Sequence, residues 1–243
     1  MRATATAYDW RMNHAGGTPA RGRVRLERDV RRRQMTKAAR EIFVREGYTA
    51  LTLRAVAGSC DVRLSTVQHH FGDRSGLIDA VMEAVIDECV VTYGRYADAA
   101  ELSSAERLRR TIATMVAGNE AEETALLFPE LWALAQREPA AGRGLDRLYA
   151  YGRELLTTLI LDCYPQASRG AAKRASQLVL ALTDGLLVSS GARNGRSRST
   201  QAEREDFVEA ALGLVSAACG NTSPSAPLRR KASGRSRGGS VDG

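Results

Sequence analysis

The sequence predicts an all-α protein: three short helices near the amino end, then a larger helical body. Apolar residues recur at intervals of three and four from Met35 to Ala218, the spacing of one face of a 3.6-residue period. No alternation long enough for a useful strand interrupts them. The segment Arg31 to Leu77 divides into three helical pieces and ends on a basic, histidine-containing stretch.

The first helix is marked by Met35, Ala38, Ala39, Ile42 and Phe43, and Gly47 is its expected stop because glycine reaches positive φ without steric cost. Thr52 offers a hydroxyl as N-cap for the second helix, which turns Leu53, Val56 and Ala57 inward. Cys60-Asp61 makes the turn. The third helix is expected from about Leu64 to His70, with Leu64, Val67 and Phe71 inside and Arg63, Ser65, Thr66, Gln68, His69 and His70 facing out. A wide stripe of Leu77, Ile78, Val81, Met82, Val85, Ile86, Cys89, Val90 and Tyr93 then predicts a long fourth helix that joins this unit to the body. Periodic segments follow at Leu108 to Val116, Leu126 to Ala135 and Leu145 to Cys163, punctuated by Pro129, Pro139 and Pro165. Two late helices carry the stripes Ala171, Ala175, Leu178, Val179, Leu182, Leu186 and Phe207, Val208, Ala211, Leu212, Val215, Ala218, joined by the polar stretch Gly191 to Thr200.

A third helix this short buries too little apolar surface to stand alone, so the two before it must hold it. Exposed polar side chains on such a scaffold are what reading base edges in the major groove requires. The same segment resembles the DNA-binding domain of the TetR family of bacterial transcriptional regulators. The matching residues are Ala38-Ala39, Phe43, Gly47-Tyr48, Thr52, Val56-Ala57, Val62, Thr66, His70-Phe71, Arg74 and Leu77. The resemblance implies DNA contacts from Thr52, Arg54, Arg63, Ser65, Thr66, Gln68, His69, His70 and Arg74, with Arg74 on phosphate.

Three positions depart from the family pattern. Asp61 stands where the turn glycine is usual, and Asp is among the few other residues found in the left-handed region. Arg63 replaces the usual capping Ser, so the third helix loses a side-chain acceptor and gains a positive charge at its positive dipole end. A phosphate or a guanine edge would neutralise that charge; a solvated surface arginine is an equal alternative. Gln68 replaces a Tyr that contacts the DNA backbone in relatives, and its amide can serve phosphate or adenine.

Charge agrees with a nucleic-acid partner. The chain carries a formal net charge of +7, and from Val30 to Leu77 nine Lys or Arg face four Asp or Glu. With 243 residues, 44% of them hydrophobic and 26% charged, it can bury a sizeable core. Cys60, Cys89, Cys163 and Cys219 lie far apart, without metal or disulfide spacing, and suit a reducing cytoplasm. No membrane span, signal core, metal site or cofactor is expected. An enzyme is disfavoured: His14 lies in the arm, His69 and His70 are adjacent and diverge on a helix, and no phosphate loop, nucleophile elbow or HExxH occurs. Glu122-Glu123 and Glu203-Glu205 look like solvated faces. A helical adaptor that binds only proteins is the remaining rival, and it leaves the polar set around Thr66 to His70 without a purpose.

The expected organisation is a disordered basic arm over 1–29, a helix-turn-helix DNA-binding domain over 30–76, a helical ligand-binding and dimerisation domain over 77–219, and a disordered basic tail over 220–243. Leu178, Leu182, Leu186, Phe207, Ala211, Leu212 and Val215 are expected at a homodimer interface, with Leu180, Leu187 and Leu214 as a second face lacking a cover. The family resemblance further implies a small-molecule effector. Tyr93, Met115, Phe128, Trp132 and Tyr149 are placed to line its pocket, with Arg110 or Glu130 as polar anchors.

Overall fold

The computed structural model describes residues 19–190 and 199–220. Among these the regular structure is helical throughout: α1 Pro19–Glu46, α2 Leu53–Ser59, α3 Leu64–Phe71, α4 Arg74–Ala97, α5 Ser104–Asn119, α6 Glu122–Ala135, α7 Pro139–Cys163, α8 Arg169–Ser190 and α9 Gln201–Cys219, with one 3-10 turn at Tyr48–Ala50. The expected arm over 1–18, most of the α8–α9 connection and the tail over 221–243 lie outside the described residues.

Local chemistry accounts for most of the boundaries. Gly47 closes α1 at φ +80°, and the Thr52 hydroxyl accepts from the Ala55 amide at 3.1 Å to open α2. Asp61 sits at φ +50°, the left-handed geometry its place in the turn demands. Asp73 caps α4 through the Gly76 amide at 3.0 Å, Ser103 caps α5, and Thr200 with Glu203 forms a reciprocal capping box on α9. As its missing Ser implies, α3 starts at Arg63 with no side-chain cap.

Two boundaries differ from expectation. α1 begins at Pro19, so residues 19–29, placed by composition in a disordered arm, are helical. A proline at the first helical position loses nothing, and the Arg, Ala and Leu that follow are good helix formers. Pro129 does not end a helix but lies inside α6, where Leu127, Leu131 and Leu134 are buried and hold the helix down despite the missing amide.

The core has two parts, and their division does not fall at residue 77. The first runs without a break from Met35, Phe43, Val56 and Val67 through Leu77, Met82 and Val85 to Leu131 and Leu145, so α1–α4, α6 and the first half of α7 share it. The second joins α5, the second half of α7, α8 and α9 around Ile112, Leu156, Ile160, Val179, Ala211 and Val215. The three-helix unit is therefore continuous with the front of the body rather than hinged to it.

Candidate nucleic-acid interface

Val67 and Phe71 are buried beneath α3, and that anchoring leaves Arg63, Ser65, Gln68 and His69 exposed in one row. Thr66 and His70 stand at its margins, partly covered. Because Arg63 supplies no side-chain cap, only the Thr66 amide of the first turn finds a partner, the Arg63 carbonyl at 2.9 Å, and the Leu64 and Ser65 amides face the positive end of the helix dipole without a cap. Arg54 on α2 and Thr52 are exposed beside the row, and the Thr52 hydroxyl, which accepts from Ala55, keeps its own proton for a phosphate. Eight of the nine expected contact residues thus fall on or beside one surface.

Arg74 is the exception. Its guanidinium lies 3.6 Å from the Tyr48 ring centroid and donates to the Tyr48 carbonyl, so it braces the unit from within instead of reaching out to phosphate. At the start of α4 its charge opposes the helix dipole, and the ring face and carbonyl compensate it. The Tyr48 hydroxyl in turn donates to Glu138, just ahead of α7. Arg40 on α1 pairs with Glu88 of α4 and with Glu123 of α6, each at 2.6 Å. Both ends of α6 are thereby tied to the DNA-reading unit, at Glu123 and through Glu138. These ties join residues far apart in sequence, which no local pattern encodes.

The expected pocket residues do not form one site. Phe128, Trp132 and Tyr149 pack on the first core, whereas Met115 and Tyr93 belong to the second. Arg110 is on the surface, paired with Glu106 at 2.6 Å, and Glu130 is exposed as well, so neither is an anchor. The arginine sits on the solvent side of α5, opposite Leu108, Ile112 and Met115. A recess of about 300 Å³ between α5, α7 and α9, lined by Leu108, Arg109, Tyr164 and Leu212 among others, contains none of them.

The polar partner inside the body is instead Asp184 of α8. The Trp132 indole donates to the Tyr149 hydroxyl at 2.9 Å, and that hydroxyl donates to Asp184 Oδ2 at 2.9 Å. Phe128 stands edge-on to Trp132 at 6.0 Å. Burial pushes the Asp184 carboxyl above its ordinary value, partly offset by the Tyr149 hydrogen bond, and it lifts the Tyr149 hydroxyl well above the usual tyrosine range. The folded chain thus holds the Asp184 proton more tightly than the unfolded chain. This group's contribution to stability is full below the ordinary aspartate value and is lost as pH rises through the raised one. Asp184→Asn is expected to flatten that decline, read as urea midpoints from about pH 4 to about pH 8. Parallel wild-type and variant curves would show that the carboxyl carries no such burden. In the sequence, Asp184 shows only as a break in an apolar run.

The expected dimer residues also divide. Leu186, Ala211 and Val215 are sealed in their own subunit's core, as is Leu187, and cannot meet a partner. Leu182, Phe207 and Leu212 are partly buried against that core, as is Leu180. Leu178 is 48% exposed, Val188 64% and Leu214 36%. With Ala181 and Gly185 on α8 and Ala210, Gly213 and Ala217 on α9, they form an outward apolar face at steps of three and four. An amphipathic stripe faces whichever core its own chain supplies first, so the inward residues are the ones the stripes select.

All four cysteines are free, and burial raises the Cys89 thiol to about 11, which leaves it protonated at neutral pH. Among the described residues no cluster of three His, Cys, Asp or Glu could hold a metal, and no helix is long and apolar enough to cross a membrane.

Comparison with known proteins agrees with this geometry. Residues 36–81 match the family model of bacterial regulatory proteins of the TetR family, and residues 104–213 match that of the C-terminal part of BetI-type transcriptional repressors. The chain is 30% identical over 189 residues to the HTH-type transcriptional regulator BetI of Paraburkholderia phytofirmans, an alignment covering 76% of this chain and 95% of that protein. The BetI of Paraburkholderia xenovorans is similar to the same extent. A putative transcriptional regulator from Pseudomonas aeruginosa shares the fold at a TM-score of 0.68 and 19% identity, covering 82% of this chain and 94% of that one. A putative TetR-family regulator from Mesorhizobium loti does so at 0.61 and 21%, covering 78% and 96%. The three-helix unit with its exposed polar row, the helical body behind it and both matched regions lead to one conclusion: this chain belongs to the TetR family of helix-turn-helix transcriptional regulators.

Proposed function

We propose that the protein is a homodimeric repressor that binds a two-fold operator in duplex DNA and is released by a small molecule held in the helical body. The observation that carries this reading is the row Arg63, Ser65, Gln68 and His69, exposed on a helix anchored by Val67 and Phe71. One such helix reads only a few base pairs at roughly 1–3 kcal/mol per good contact, so a useful operator needs two. The outward face of α8 and α9 offers a second copy a small-residue surface for a four-helix contact. The matched repressor model and the BetI relatives favour repression. Thr52, Arg54, Thr66 and His70 complete the contact surface.

Phe128, Trp132, Tyr149 and Asp184 are the proposed effector site, suited to a molecule with an apolar body and a hydrogen-bond donor for the carboxylate. Such a ligand would displace α6, which is tied at both ends to the DNA-reading unit. Its effect on DNA affinity cannot exceed its preference for one head spacing over the other.

The test is selection of binding sites from a random duplex library. Gln68→Ala and His69→Ala are each expected to change the selected bases at their own position, a difference worth about 1–3 kcal/mol. Selection of the wild-type sequence by both variants would remove α3 as the reading face. Wild-type binding that ignores salt and sequence alike would favour a protein-binding adaptor instead.

A further inference from the structure

Midway along α1 one face changes character. Met35, Ala39 and Ile42 point into the first core. Continuing that register toward the amino end gives Arg32 and then Arg28, so a stripe that is apolar in the middle of the helix turns to arginine toward its start, and the sequence repeats arginine at positions 25 and 21. Between Pro19 and Gln34 the helix carries seven arginines against Glu27 and Asp29.

The change occurs beside the recognition helix. Arg32 donates to the His70 carbonyl at 3.1 Å, lies 5.2 Å from the Phe71 ring centroid, and pairs with Glu83 at 3.3 Å. Burial first, then the charges of Arg28, His69, Arg32 and Arg31, holds the His70 imidazole below its ordinary value. Arg28, Arg31 and Arg33 are exposed, and none forms an ion pair among the described residues.

Like charges three or four residues apart, as at Arg25, Arg28 and Arg31, weaken a helix by about 0.2–0.5 kcal/mol per pair, and Glu27 and Asp29 at the same spacings offset them within the helix, leaving seven positive charges less two negative between Pro19 and Gln34 for an anion outside it. Over positions 21–32 the helix backbone rises about 16 Å, long enough to follow several phosphates of one strand. We infer that the arginine face of α1 is a second DNA-binding element, which grips phosphates flanking the bases read by α3 and carries no sequence preference of its own. This inference rests on the DNA-reading function proposed above.

The full chain with Arg25→Ala, Arg28→Ala and Arg31→Ala is compared with wild type on two probes: a duplex selected from a random library by the wild-type chain, and a random-sequence duplex of equal length. Arg32 is left in place because it holds the end of α3. On both probes the log–log salt slope should fall by about 0.9 for each phosphate that is no longer neutralised, with affinity at about 0.15 M salt reduced roughly 10- to 100-fold. The ratio between the two probes should stay the same. The matching triple lysine variant should restore the slope, since charge rather than planar geometry is at work. Alanine is the better helix former, so unchanged helix content and melting temperature confirm an intact fold. An unchanged slope in the alanine variant, with Gln68→Ala still altering selectivity, would overturn the inference and leave the reading face intact. Absence of salt-dependent binding by wild type to either probe would overturn both.

Discussion

Gly76→Ala is expected to cost about 2–3 kcal/mol of stability and to abolish operator binding, a large effect for one methyl group. A Cβ at this position would lie 1.9 Å from the Phe71 carbonyl oxygen and 3.0 Å from its carbon. Both are backbone atoms, so no side chain can rotate away. The carbonyl ends α3, and the Gly76 amide is the donor that Asp73 uses to cap α4. The turn between the two helices must therefore open, which tilts α3 and moves its contact row out of register with the base edges. Urea unfolding and DNA titration of the same sample test this. Gly58→Ala is the control: its Cβ would meet nothing within 4 Å, and alanine in α2 should be neutral or stabilising by up to about 1 kcal/mol. Equal stability and affinity for Gly76→Ala and Gly58→Ala would show that the turn has slack enough to take the methyl group.

Gly213→Glu should leave the subunit folded and reduce operator affinity about 10²- to 10⁴-fold by separating the two heads. Gly213 and Gly185 both face open space in the single chain, so the new side chain disturbs no intrachain packing. It would put a carboxylate beside Ala210, Leu214 and Ala217 on the outward face of α9, where a second copy is proposed to seat. Burying that charge unpaired costs several kcal/mol, more than a modest interface can absorb. Sedimentation should show a dimer for wild type and a monomer for the variant, with binding that no longer favours a two-fold site. A variant that remains dimeric with full affinity would place the subunit contact elsewhere.

The parts of this protein encoded by neighbouring residues are legible in its sequence. Gly47, Thr52, Asp61 and Arg63 each act on the backbone within a few positions, so their stop, cap, left-handed turn and missing cap follow from residue type alone. The stripes of α4, α7, α8 and α9 are equally plain. What periodicity does not convey is which body a stripe faces: Ala211 and Val215 serve their own core, whereas Leu178 and Leu214 look outward. Long-range pairings are beyond it as well. Nothing near Arg74 announces that Tyr48 will stack on it, and nothing near Trp132 announces Asp184. Arg110 resembles an anchor until its surface partner Glu106, one helical turn away, is counted against it. The early start of α1 is hidden because arginine-rich composition resembles that of a flexible arm.

The unbroken first core also bears on attempts to build hybrid biosensors from this chain. Exchanging the operator-reading module at residue 77 would cut through packed aliphatic side chains, leaving Leu77, Ile78 and Val81 against foreign neighbours and stranding Glu88, Glu123 and Glu138 without their arginine and tyrosine partners. A workable graft would carry α4 along with the head and transplant the matching surface of α6, or else move the whole chain and retune only the row from Arg63 to His69.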